Sequence, residues 1–271
     1  MDGLRHPEAG SVRLVPGARD LAGLHEKAMP QKDQLCGPFW GALALSAVGR
    51  AVEQDEVALR SGTTLAEGDP SEWLPPGASP RTDYSLPLPV SPDEVSAGTS
   101  ASGLARGVEE LSGNTLKVIP VAGPWTADTV VSLVEISASE APECTLVANL
   151  RTGRLWGSRP PVRLLFDYLL GLPVAPPAPD WDCGHFLAIL ATLSGPGGAL
   201  VALRDTYAEL GWGGYHLQPA GAVAAALERG DGHEGGVLCV CQASATLAGR
   251  LEGAGFELRY WDNGTPDREA G

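Results

Sequence analysis

Cys36 opens the stretch CGPFWGALAL, directly ahead of an apolar run with helical spacing and just behind two glutamines, Gln31 and Gln34. A thiol at a helix N-terminus is placed to act as its thiolate, because the unpaired N–H groups and the helix dipole favour negative charge there. Attack on an amide or thioester carbonyl also needs a base that takes a proton and returns it. His185, in DWDCGHFLAIL, starts an apolar strand pattern, where a side chain is held rigidly. Asp205 ends the next strand pattern, VALRDTY, beyond an SGPGG turn that signals a hairpin. The end of the second strand of a hairpin returns beside the start of the first. Asp205 can then accept the other imidazole N–H and fix its tautomer. The expected set is Cys36 as nucleophile, His185 as base and Asp205 as the orienting acid.

The elements that must position these groups follow from periodicity. FWGALALSAVGRAV is apolar enough to be a central buried helix starting close to Cys36, with Pro38 tolerated in the first turn. Residues 1–28 are polar and loosely patterned, a strap over the domain surface with one short helix around ARDLAGLHEKA. Residues 62–98 are rich in Pro, Gly and Ser without a lasting period, the pattern of a functional loop or a disordered insert that could cover the site. TSASGLARGVEELSG and TADTVVSLVEISASE predict two amphipathic helices, each followed by a strand, TLKVIPV and CTLVANL. After a Pro-rich connection come the hairpin, a short helix in QPAGAVAAALERG, and GGVLCVCQ and FELRYWD as closing strands or edges. No internal repeat or clean linker divides residues 1–271. The expectation is one α+β domain, helices first and an antiparallel sheet later.

Acidic residues outnumber basic ones 33 to 19, for a formal charge of −14. A phosphate backbone or an anionic membrane is repelled by such a surface, so neither nucleic acid nor membrane is an expected partner. No secretory signal pattern and no long apolar span is present, and five cysteines are too few and too odd in number for a disulfide framework. A cytoplasmic location is expected. The sequence carries no sign of oligomeric state.

CGPFW resembles the Cys-Gly-x-x-Trp start of the central helix in the papain superfamily, and the order Cys36, His185, Asp205 is the order of that superfamily. The succession of elements is most similar to the C39 and C39-like peptidases. It runs from a glutamine before the CG, through GTSASGLARGVEELSG, a further helix and strand over 127–150, GHFLAIL and LRDTY, to GYHLQPAGAVAAAL. The likeness covers roughly residues 28–230. Gln31 and Gln34 stand closer to the cysteine than the family glutamine commonly does, and Thr206 follows Asp205 where hydrolytic C39 members usually carry proline.

The resemblance implies a papain-like fold whose central helix begins at the nucleophile and packs on a C-terminal antiparallel sheet. It also implies an acyl-cysteine mechanism without a cofactor or metal, acting on a peptide or small amide or acyl substrate. Gln31 or Gln34 would join the Cys36 backbone N–H in the oxyanion hole. Water or an amine can be the acceptor, giving a cysteine peptidase or amidase in one case and an amide-forming acyltransferase of a biosynthetic pathway in the other.

Two other classes compete with this reading. One is a papain-fold binding or scaffold protein without turnover. The other is a zinc site built from Cys183, His185, Cys239 and Cys241, near His233; Cys-x-Cys on a strand puts both thiols on one face, but core packing explains that pair without metal. Cys183 alone reads as a half-buried strand residue, and His216 as an exposed turn residue.

Overall fold

The computed structural model describes residues 11–268 apart from 94, 95, 142, 243 and 244. In chain order the elements are β1 (Val12–Leu14), α1 (Ala18–Ala28), α2 (Cys36–Ala47), α3 (Gln54–Arg60), β2 (Leu65–Ala66) and β3 (Val90–Ser91). There follow α4 (Ala101–Leu111), β4 (Leu116–Val121), α5 (Ala127–Glu140), β5 (Thr145–Arg151), α6 (Val162–Leu169), β6 (Gly184–Gly195) and β7 (Gly198–Arg204). β8 (Tyr215–Pro219), α7 (Ala220–Glu228), β9 (Gly236–Gln242) and α8 (Ala245–Gly253) complete the fold.

The chain is α+β. One antiparallel sheet runs β4-β9-β5-β6-β7-β8, and β1 pairs with the far end of β6. Its core includes the fully buried Leu146, Leu150, Leu187, Ile189 and Leu200. Two groups of helices pack on it, α2 with α3 and α4, and α5 with α7 and α8.

α2 is buried from Gly37 to Leu45. A Cβ at Gly41 would come within 2.8 Å of Val57 and 3.1 Å of Val108, so the glycine is what lets α3 and α4 approach this helix closely. Trp40 Nε1 donates to the Phe186 carbonyl at 3.1 Å and stitches α2 to β6. The helix that carries Cys36 is thereby tied to the strand that carries His185.

Several expectations change. β9 lies between β4 and β5 rather than closing the sheet; residues 236–241 are all buried, as a strand covered on both faces must be. FELRYWD forms no strand: Phe256 and Trp261 are buried but lie on opposite parities of the alternation a strand would need. α6 and α8 lie in stretches for which no helix is predicted, α6 hidden behind a Pro-rich lead whose Pro161 sits at its N-cap. Strands β1, β4 and β5 enter the sheet before the hairpin, so helices and strands interleave. Residues 11–28 are more than a surface strap, since α1 buries Leu21 and His25.

The described residues of the 62–98 segment are tied down beside α3. β2 and β3 pair in parallel, Thr64 bridges Gly98, and Ser85 and Lys32 both bond the buried Asp55.

Candidate active site

The hairpin β6–β7 brings together residues distant in sequence. Ala188 stands opposite Arg204, so the chain just beyond β7 returns beside the start of β6. There His185 Nε2 donates to Asp205 Oδ1 at 3.2 Å, and both side chains are almost wholly buried. Thr206 Oγ1 lies 3.3 Å from the same nitrogen. Two acceptors on Nε2 leave Nδ1 for the other side of the ring. Cys36 stands beside the ring, close enough to act on its proton affinity. Burial by itself disfavours the imidazolium, but the Asp205 carboxylate and the neighbouring Cys36 outweigh it and raise His185 to about 10. Burial likewise opposes ionisation of Asp205. The two imidazoles of His185 and His216 and the Tyr207 N–H outweigh that too, and hold its carboxyl below the usual range.

The expected nucleophile, base and acid therefore meet at one place. Gln31 and Gln34 meet them there: both line the same cleft as Cys36 and His185. Gln31 is buried and its side-chain carbonyl accepts from Thr206 Oγ1 at 2.6 Å, which leaves its amide N–H groups for the cleft. The Gln34 carbonyl accepts from the Ala66 N–H instead, with its backbone in the left-handed region at φ 62°. At the start of α2 the N-cap Leu35 supplies no side-chain acceptor. The Cys36 N–H thus remains available to a negative oxygen.

The cleft encloses about 500 Å³, within the range of small-ligand sites. One wall is aromatic. Trp181 meets His185 edge-on at 5.1 Å between ring centroids, Tyr207 stacks on His185 at 6.1 Å and meets Trp181 edge-on at 5.8 Å, and Trp181 Nε1 donates to the Trp73 carbonyl. The other wall is polar and holds Arg151, Arg229 and Asp231. It is closed by residues 263–265, where Asn263 Nδ2 donates to the Thr99 carbonyl and Thr265 Oγ1 to the Ala97 carbonyl.

Behind the acid lies a support that sequence reasoning missed. His25 Nε2 donates to the Asp205 backbone carbonyl at 2.6 Å, and its Nδ1 accepts from Arg204 Nε at 3.1 Å. Burial and the adjacent guanidinium lower His25 to about 4, so this imidazole is neutral near pH 7. His216 is no exposed turn residue. It is buried in β8 with Nε2 3.7 Å from Asp205 Oδ2, and burial lowers its pKa. The signal for Thr206, Tyr207 and Trp181 was adjacency to the chosen Asp and His; for His25 and His216, in separate elements, no local signal exists.

Cys183 lines the cleft half-buried, and burial pushes its thiol well up. Cys239 and Cys241 sit instead in the core against Cys144, so the four-ligand zinc set does not assemble. Among the described residues no group of three or more His, Cys, Asp or Glu side chains is placed to hold a metal ion. Among them, too, no helix is long and apolar enough to cross a membrane.

Comparison with known proteins places the molecule. A family model described as a family of unknown function, DUF6885, matches residues 15–262. The chain belongs to the DUF6885 family. No curated protein matches it. The DUF6885 match spans Gln31, Cys36, His185 and Asp205 together with Arg151, Arg229 and Asp231, and of the cleft lining it leaves out residues 263–265.

Proposed function

We propose that this DUF6885 protein is a thiol enzyme of papain-like, C39-like type that works through an acyl-cysteine intermediate on a peptide or amide-type substrate. The observation that carries the reading is the single imidazole of His185, engaged by Asp205 on one nitrogen and facing Cys36 with the rest of the ring, at the wall of a cleft.

The steps follow from that arrangement. The Cys36 sulfur attacks the carbonyl carbon and its proton resides on His185. The carbonyl oxygen becomes an oxyanion facing the Cys36 N–H and the Gln31 amide, a side-chain donor worth roughly 3 kcal/mol to the transition state. Collapse of the tetrahedral adduct breaks the bond to the leaving amine, which takes the proton from His185. Water or an amine then gives its proton to His185 and attacks the acyl-enzyme. The products are a carboxylic acid or a new amide, and the thiol is restored. Asp205 keeps the ring oriented throughout. The aromatic wall limits water around the imidazole.

The test is intact-mass analysis of wild type and Cys36→Ala with a panel of activated acyl donors, followed by added amines. An acyl adduct on the wild type alone is expected, and its decay with or without amine separates transfer from hydrolysis. Absence of any adduct across the panel, with the thiol shown to be free, would favour the alternative of a binding protein that keeps the fold without turnover.

A further inference from the structure

The polar wall of the cleft has no part in the chemistry just described. Arg229 is only 5 % exposed along its side chain. A guanidinium has five N–H donors, and Arg229 commits three: Nε and Nη2 to the two oxygens of Asp231, at 3.1 and 2.8 Å, and Nη1 to the Asn263 carbonyl at 3.0 Å. Arg151 donates Nε to Asp182 at 2.6 Å and holds Nη1 3.6 Å from Asp231 Oδ2. Among the described residues the remaining N–H groups of both arginines have no acceptor.

Asp231 has no spare capacity of that kind. Each of its oxygens faces a guanidinium, Oδ1 also accepts from the His233 N–H, and the Arg229 contact lowers its pKa to about 2. Two guanidinium groups here face two carboxylates, Asp231 in the wall and Asp182 beside it, so their charges balance and what the wall offers the cleft is uncommitted N–H donors. Gly184 lets the Arg229 guanidinium lie against the β6 backbone: a Cβ there would sit 3.3 Å from Nη2. Arg151, across the ladder from Gly184, reaches in from the end of β5.

We propose that this wall is a carboxylate-binding subsite, so that the acyl donor or peptide entering the cleft carries a carboxylate gripped by the free N–H groups of Arg151 and Arg229. The inference rests on the thiol-enzyme reading for the identity of the ligand as a substrate. The grip itself can be measured without turnover. Asp231 and Asp182 orient the two guanidinium groups, and the N–H groups they leave uncommitted are the donors a carboxylate would take.

The experiment measures rates of Cys36 alkylation in the whole protein by two maleimides of matched length, 3-maleimidopropionate and N-propylmaleimide, each relative to its rate with a free thiol. At an ionic strength of about 0.15 M surface charges are largely screened, and the overall negative charge works against the anionic probe. The carboxylate probe is expected to be favoured about tenfold, as for a charge-assisted hydrogen bond. Arg151→Gln should abolish most of that preference and Arg151→Lys should restore part of it. Independently of any variant, glutarate should protect wild-type Cys36 from N-propylmaleimide, and glutaramide should not.

A wild-type ratio equal to that of the free thiol, a preference that survives Arg151→Gln, or equal protection by acid and diamide would each overturn the subsite. Acylation of Cys36 without carboxylate preference would remove the subsite and keep the enzyme. Carboxylate preference without any acyl adduct would do the reverse.

Discussion

Thr206 Oγ1 donates to the side-chain carbonyl of Gln31 at 2.6 Å, and that one hydroxyl also stands 3.3 Å from His185 Nε2. The residue that follows Asp205 thus holds the Gln31 amide, which in the proposed mechanism faces the oxyanion. Thr206→Val keeps the shape and removes the link. Acylation of Cys36 by an activated ester is expected to slow by about tenfold, the loss of one positioning hydrogen bond, while alkylation by iodoacetamide, which forms no oxyanion, keeps its rate. Equal slowing of both reactions would place Thr206 on the base instead.

Gln31→Ala removes the proposed donor itself. Acylation should fall about a hundredfold or more, again with alkylation little changed. Gln34→Ala, whose carbonyl is engaged with the Ala66 N–H, should cost less. The reverse ranking would exchange their roles.

Asp205 and His185 give a pH signature. A folded-state imidazole raised from 6.5 to about 10 contributes stability that is fully present below about 6.5 and is lost as pH rises towards 10. The carboxylate, held low, contributes stability that is lost as pH falls below its usual 3.8. The stability difference between wild type and Asp205→Asn should therefore be greatest between those limits and shrink on the alkaline side. NMR titration of His185 should show its pKa falling in Asp205→Asn; an unchanged value would separate the carboxylate from the ring.

His25 behaves oppositely. Its folded-state pKa is lowered to about 4, so the unfolded chain binds the proton first and stability declines as pH drops from 6.5 towards 4. In His25→Gln that part of the decline should be absent from denaturation midpoints measured across the window.

Trp40→Phe tests the stitch between α2 and β6. Loss of the N–H to the Phe186 carbonyl is expected to destabilise the fold by about 1–3 kcal/mol. Acylation should slow because Cys36 and His185 lose a common brace. A variant with a lowered melting temperature and unchanged acylation would show that the brace is structural alone.

The legible part of this molecule was what periodicity and side-chain type report. α2, α4 and α5 announce themselves by spacing, α4 and α5 with Ser100 and Thr126 at their caps, and the β6–β7 hairpin by its turn. Cys36, His185 and Asp205 were candidates because each sits at an element end. What stayed hidden depends on tertiary placement. β9 reads the same whether central or at an edge until its partners are known, and nothing local links His25 or His216 to an aspartate in another element. Arg151 and Arg229 look like ordinary surface cations in sequence; only the fold carries them into one wall.

The cleft draws its lining from Gln31 at one extreme and Thr265 at the other. A polypeptide emerges from the ribosome amino end first, so Cys36 is translated long before the segment that clasps Thr99. During synthesis the cleft therefore stays open on that side until residues 263–265 have emerged.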